Sequence, residues 1–216
     1  MLSGQALDLD HHDDRPGYRG FAHSRCNRQA GARLGNARRR ARQERTRSML
    51  TEIALGIEIS ESRDHVSIAA AGHVDGDFIL VELAAYLEGT DPLAEVLRLQ
   101  AECTVVAVAV DPHSPAATVI KPLTDAGVEV VELSTHDVAV AHGEFLDTLA
   151  AGRLRHVSDQ RLDAAVRHGT ARRLGGAAAW ERRGSAVDVA PAVAAEIAVW
   201  ALGHARRPYD VLSSVW

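Results

Sequence analysis

Lysine is almost missing from this chain: Lys121 is the only one among 24 basic residues, and all the others are arginine. With so much Ala, Val and Gly, that skew points to a GC-rich coding sequence rather than a chemical requirement. Cysteine is scarce too. Cys26 and Cys103 stand far apart and make no CxxC pair, which leaves no cysteine-based metal or redox motif. Cys103 precedes an apolar run and reads as a small core residue. No apolar run approaches the roughly 18 residues needed to span a bilayer. The stretch Met1 to Asp14 turns acidic instead of apolar, so no signal peptide is expected and a reducing cytoplasm is the default. Nothing matches the phosphate-binding pattern GxxxxGK(S/T), because Lys121 follows Val119-Ile120 without the glycines. A P-loop motor is therefore not expected here.

What is present suits one good-sized domain with some excess: 216 residues, 46% hydrophobic and 25% charged, with a net charge of -5. The charge is unevenly spread. Residues 1–49 hold 11 arginines against five acids, whereas the remainder is strongly acidic. That first segment has little aliphatic periodicity and cannot bury enough apolar surface to offset its ordering entropy, so it is expected to be a largely disordered arm. Arg38 to Met49 could form a short basic helix. It is either an arm that touches nucleic-acid phosphates or, the favoured reading, a linker remnant or over-extended start upstream of Met49. A metal role for His11-His12-Asp13-Asp14 is outweighed by the tendency of tails to collect such residues.

Residues 50–216 are expected to form the folded domain. Ile53 to Ser60, His65 to Ala71 and Phe78 to Tyr86 read as strands, and the Asp75-Gly76 pair signals a hairpin. Three strands joined by tight turns make an antiparallel meander. A helix follows through Cys103, with Thr90 or Asp91 as cap and Pro92 in its first position. Thr104 to Val110 is a β-branched apolar run of strand length, suited to a strand buried on both faces. Pro112 ends it just after Asp111. Helices are expected over 114–126, 135–150, 159–168 and 189–203, a strand over 128–133 and an extended piece over 178–182. Together these make a mixed α/β sheet flanked by helices.

Three acids stand at the edges of apolar elements: Glu58 between Ile57 and Ile59, Asp111 after the central run, and Asp188 between Val187 and Val189. Asp111 has a plainer reading as a turn or helix cap. Yet ligands of open α/β sheets sit at the carboxyl ends of strands, and an unpaired carboxylate inside a strand is costly to bury. If the first strand lies beside 104–110, Glu58 and Asp111 meet, and the last helix can bring Asp188 to the same point. Converging carboxylates repel one another, and oxygen-only ligands suit Mg²⁺ or Mn²⁺. Removing one acid should then leave the metal-free domain as stable as before, or more so. A pair of such ions stabilises the attacking and leaving oxygens of a phosphodiester displacement.

The stretches Gly56-Ile57-Glu58-Ile59-Ser60, Val108-Ala109-Val110-Asp111 and Gly152-Arg153-Leu154-Arg155-His156 carry a resemblance. So do Arg172-Arg173-Leu174-Gly175-Gly176, Trp180-Glu181-Arg182-Arg183 and Asp188 to Ala195. In their order and spacing from about Leu55 to Trp216, they resemble the ribonuclease H-like nuclease domain of phage terminase large subunits, those of actinobacterial phages and prophages above all. The resemblance implies a two-metal-ion endonuclease, with Mg²⁺ or Mn²⁺ held by Glu58, Asp111 and Asp188 and with Glu196 as an accessory ligand. It implies cutting of concatemeric double-stranded DNA during packaging, and partners such as a separate terminase ATPase, a small subunit or a portal. Glu58 departs from the family's usual Asp, and the ATPase half is not matched.

Arg172, Arg173, Arg182 and Arg183 are candidates to steer the DNA backbone towards the carboxylates, against the plainer reading of a solvated surface. His113 could orient a water or a phosphate, and His156 more readily shapes the fold. Two other readings stay open: another nuclease of this fold, such as a junction resolvase, and a non-catalytic prophage remnant that binds DNA or a partner without cutting.

Overall fold

The computed structural model describes residues 52–74 and 77–205. The arm expected over residues 1–49, with its basic helix, its His-Asp cluster and Cys26, lies outside the described residues, as does the Asp75-Gly76 pair.

Alternation builds the sheet. Strand β1 (Ile53–Ile59) sends Ile53, Leu55, Ile57 and Ile59 to one face, and Ala54, Gly56 and Glu58 to the other. It pairs antiparallel with β2 (His65–Val74), which pairs antiparallel with β3 (Phe78–Glu88), so the meander stands as expected. Helix α1 (Leu93–Glu102) then leads to β4 (Val105–Val110), which lies parallel to β1. Helix α2 (Ala117–Asp125) leads to β5 (Val130–Glu132), parallel to β4. Helix α3 (Thr135–Ala150) leads to β6 (Leu154–His156), which adds to the free edge of β3. The six strands run in the order β5-β4-β1-β2-β3-β6. Helix α4 (Gln160–His168), a separate hairpin of β7 (Ala171–Leu174) and β8 (Ala177–Trp180), and helix α5 (Ala190–His204) complete the described chain. This is the expected mixed sheet, part antiparallel and part parallel, with helices on both faces.

The two faces are packed by different rules. The large aliphatics of β1, with Val66, Ile68, Val108 and Val110, pack on α1 and α2. The other face is lined by small residues, Ala54, Ala69, Ala71 and Ala109, and α5 lies against it with α3, α4 and β8 around it. Helix α5 is buried on all sides from Ala190 to Ala201, the mark of a central helix and not an amphipathic one. Gly56 sets how closely it approaches: a Cβ there would stand 2.1 Å from the Ala194 carbonyl oxygen and 2.6 Å from the Ala198 nitrogen. Only glycine lets the two backbones come so near.

Boundaries differ where local polar groups compete. The helix expected from Ser114 starts at Ala117, because the Ser114 hydroxyl donates to the Asp111 carbonyl and accepts from the Ala116 amide, which holds a turn instead. Asp91 does act at the start of α1, accepting from the Leu93 amide at 3.0 Å, and the helix begins one residue after Pro92. The expected burial of β4 on both faces holds only from Val108 to Val110; Val105 to Ala107 are half-buried. No helix among the described residues is long and apolar enough to cross a membrane.

Candidate active site

The pairing of β1 with β4 brings two of the three expected acids together. Ile57 pairs with Val110 in a parallel register. The next residues, Glu58 and Asp111, therefore stand side by side at the carboxyl ends of their strands, on the α5 face. Both are buried, Glu58 completely. The Asp111 carboxylate divides its work. Oδ1 accepts from the His113 amide at 2.9 Å, so the turn-capping reading holds for that oxygen. Oδ2 accepts from Arg182 Nη2 at 2.9 Å. Glu58 is held in the same way: Oε1 accepts from the Ile59 amide at 2.9 Å, and Oε2 accepts from Arg182 Nη2 at 2.8 Å and Nε at 3.1 Å.

One guanidinium thus bridges both acids, with Nη2 shared between them. Burial pushes the Glu58 carboxyl above the ordinary carboxylate range, and Arg182, the Ile59 amide and Ser114 act against that rise. Burial also works against the charge of Arg182, but Glu58 and Asp111 together outweigh it and hold the guanidinium pKa above its usual value. The repulsion expected between the acids is absorbed by this cation.

Asp188 bonds other partners. Its Oδ1 accepts from the Ala190 amide at 3.0 Å, as a residue at a helix mouth does, and its Oδ2 accepts from the Tyr86 hydroxyl at 3.2 Å. Glu58 pairs with Ser67 and Ser67 with Tyr86, so Tyr86 lies two strands along the sheet from Glu58, about 10 Å by strand spacing. Tyr86 is also stacked on His65 with ring centroids 4.6 Å apart, and the Arg161 guanidinium covers it at 4.6 Å. Its hydroxyl is pushed up by burial and then by the neighbouring Asp188. Between the two positions, the hydroxyl of the fully buried Ser67 has no hydrogen-bond partner. Among the described residues, no three His, Cys, Asp or Glu side chains stand together in a way that could hold a metal ion.

Glu196, the expected accessory ligand, lies within α5. It is buried, and its Oε2 meets His142 Nδ1 at 3.0 Å, across from α3. His142 in turn stands edge-on to Trp180, with centroids 5.3 Å apart. Burial raises the Glu196 carboxyl, opposed first by His142 and more weakly by Arg182.

The four arginines also part company. Arg182 is the bridge and not a free surface cation. Arg183 is exposed and pairs with Glu61 at 3.0 Å. Arg172 is half-buried and Arg173 exposed, both on β7. Arg172, Arg182 and Arg183 line an open cleft of about 590 Å³, shared with Arg63, His113 and Glu181. Arg63 escaped the sequence reading. At a φ of 60°, it donates to the Pro115 carbonyl at 2.9 Å and the Thr118 hydroxyl at 3.0 Å, tying the β1–β2 turn to the segment after β4. His156 lies on the edge strand β6, 3.5 Å from Asp163.

No family model matches the sequence, and no curated protein does. Solved structures do. The large terminase of bacteriophage HK97 superposes with a TM-score of 0.57 at 14% identity, covering 70% of this chain and 39% of that one. The large terminase of a thermophilic bacteriophage superposes with a TM-score of 0.50 at 11% identity, with the same two coverages of 70% and 39%. The fold of this chain is similar to part of these large terminases. The chain spans about two fifths of the length of those terminases, and at such identities the likeness is one of fold.

The donor set of Glu58 and Asp111 fits one hard divalent cation: two carboxylates on adjacent strands, both offering oxygen. The oxygens that face one another are the ones Arg182 takes, so a cation and the guanidinium claim the same lone pairs.

Proposed function

We propose that this domain is a metal-dependent DNA endonuclease in which Glu58 and Asp111 hold Mg²⁺ or Mn²⁺. The observation that supports it is the pair of buried carboxylates at the ends of two adjacent parallel strands, balanced by a single bridging guanidinium. Burying two acids is expensive for a fold that could place apolar residues there, and such sites collect where chemistry is done. When bound, a divalent ion there would polarise a phosphodiester oxygen and lower the pKa of a water.

The chain's own groups supply the rest. Arg172 and Arg183, in the cleft beside the pair, offer planar guanidinium donors to a phosphate backbone. The His113 amide fixes the Asp111 carboxylate, so its orientation does not depend on the ion. The Ile59 amide does the same for Glu58. The proposed substrate is double-stranded DNA cut during packaging in the cytoplasm of a bacterial host, with the motor supplied by a separate terminase ATPase. The Arg182 bridge also favours a second reading, a domain that binds DNA or a partner without cutting.

Nicking of supercoiled plasmid separates the two. The endonuclease reading expects nicking with Mn²⁺, none with EDTA, and none from Asp111→Asn. Equal nicking by Asp111→Asn would refute it.

A further inference from the structure

We propose that the Arg182 side chain is a tethered cation that occupies the metal position between Glu58 and Asp111 and must leave it before a divalent ion can bind. This rests on the reading that the two acids form a metal site.

The geometry carries the argument. A single nitrogen, Nη2, bonds Glu58 at 2.8 Å and Asp111 at 2.9 Å, which is where an ion bridging the two acids would need to sit. An arginine does not deprotonate, so the contest is between two cations and not between a cation and a proton. The side chain is 12% exposed and the acids almost wholly buried, so little water competes in its place.

Arg182 is also placed to leave. It belongs to the irregular residues 181–189, between β8 and α5, and contributes to no sheet ladder. Its neighbours are pinned: the Glu181 amide donates to the Thr170 carbonyl at 2.7 Å, and Glu181 Oε1 accepts from the Arg183 amide at 2.9 Å. The side chain can therefore rotate out while the backbone stays. The open cleft beside the pair is lined by Glu61 and Glu181 together with Arg63, Arg172 and Arg183, so a departing guanidinium meets polar groups of both signs and solvent instead of apolar core.

A structural role alone would also use an arginine here, to make two buried acids tolerable. The two roles differ in one measurable respect. A structural arginine supports the metal site, and its loss weakens metal binding. A competing cation suppresses metal binding, and its loss strengthens it. Each charge-assisted hydrogen bond that the ion must break reduces its affinity by about tenfold or more.

The experiment is calorimetric titration of Mn²⁺ into the full metal-free chain, as wild type, Arg182→Gln, Arg182→Lys and Arg182→Gln/Asp111→Asn, with thermal unfolding of each with and without Mn²⁺. Arg182→Gln is expected to lower the Mn²⁺ Kd by about tenfold or more, and the added Asp111→Asn to abolish the binding. Arg182→Lys keeps the charge but loses the second contact to Glu58, made by Nε at 3.1 Å, and is expected between wild type and Arg182→Gln. Without metal the Tm of Arg182→Gln falls, and Mn²⁺ restores more of it than it adds to wild type. If Arg182→Gln binds Mn²⁺ as wild type does or more weakly, while Asp111→Asn still abolishes binding, the metal site stands and the competing role of Arg182 is overturned. If no form binds Mn²⁺, the metal-site reading itself fails and takes this inference with it. Should Arg182→Gln not fold, Arg182→Lys decides alone, an unchanged Kd overturning the proposal.

Discussion

Replacing Gly56 by alanine adds one methyl at the point where helix and sheet are closest. The new Cβ would stand 2.1 Å from the Ala194 carbonyl oxygen, against 3.4 Å for ordinary contact, so something must give by about 1.3 Å. The second atom in the way, the Ala198 nitrogen at 2.6 Å, is backbone too. No rotamer change relieves either clash; α5 must lift from β1. That helix is buried on every side, so lifting it disturbs most of the core on that face. Overpacking usually costs about 1–3 kcal/mol, and a clash with backbone belongs at the upper end. About 3 kcal/mol corresponds to a Tm loss of roughly 6–12 °C in a domain of this size. Gly143 is the control: it lies exposed within α3, with nothing within 4 Å of an added Cβ. There the same substitution should raise the Tm, since alanine is favoured over glycine inside a helix by about 1 kcal/mol. Thermal unfolding followed by circular dichroism reads both. A Gly56→Ala variant as stable as wild type, or more so, would show that α5 is not pressed onto β1, and the placement of Glu58 against that helix would fall with it.

Glu58→Gln tests the buried carboxyl through pH. Because burial raises the Glu58 pKa in the folded state, the folded protein binds this proton more tightly than the unfolded chain does. The stability it contributes is fully present below the ordinary glutamate value of 4.5 and is lost as pH rises through the higher folded value. The Tm of wild type minus that of Glu58→Gln should therefore fall as pH is raised from 4 towards neutrality; a flat or rising difference would contradict the assignment. Asp111→Asn should lower the stability of the metal-free domain, by about 1.5–3 kcal/mol for a hydrogen bond between charged groups, with the fold retained by circular dichroism. That is the opposite of what two repelling acids alone imply, and an unchanged or higher Tm would show that Arg182 does not neutralise Asp111.

Much of the fold was legible because its longer elements are locally consistent. The three strands of the meander and the β4 run announce themselves by apolar pattern, and α3 by apolar residues at helical spacing, with a capping box of Ser134 and Asp137 that only the structure reveals. The short strands β6 and β7, of three and four residues, were not legible as strands. They carry too few residues for a period to emerge, and β6 is extended because β3 offers it a free edge. Strand β8 overlaps the extended piece expected over 178–182 and begins one residue earlier, at Ala177.

The site was legible in half. Glu58 and Asp111 could be paired because acids in apolar strands are costly, and a parallel neighbour of β1 was the natural place for both. Asp188 misled because an acid between valines at a helix start shows that it caps, not what its second oxygen meets across the sheet. Glu196 carried an unused signal: a helix apolar on every side has no solvent face on which to place a glutamate, so its one acid had to be buried and partnered. Arg182 stood among the arginines expected to steer DNA, and nothing in the sequence marked it as the partner of two buried acids. It lies 124 residues from Glu58 and 71 from Asp111, in a run of Glu181-Arg182-Arg183 that looks like solvated surface. The requirement for a cation follows from burial alone, since two carboxylates cannot share a dry pocket uncompensated. Sequence logic meets that requirement with a metal or with any of 24 basic residues, and only the packing of the loop after β8 chooses Arg182. A buried acid pair read from sequence is thus evidence for a bound positive charge before it is evidence for a metal. In this domain, the Mn²⁺ affinity of Arg182→Gln is the quantity that tells the two apart.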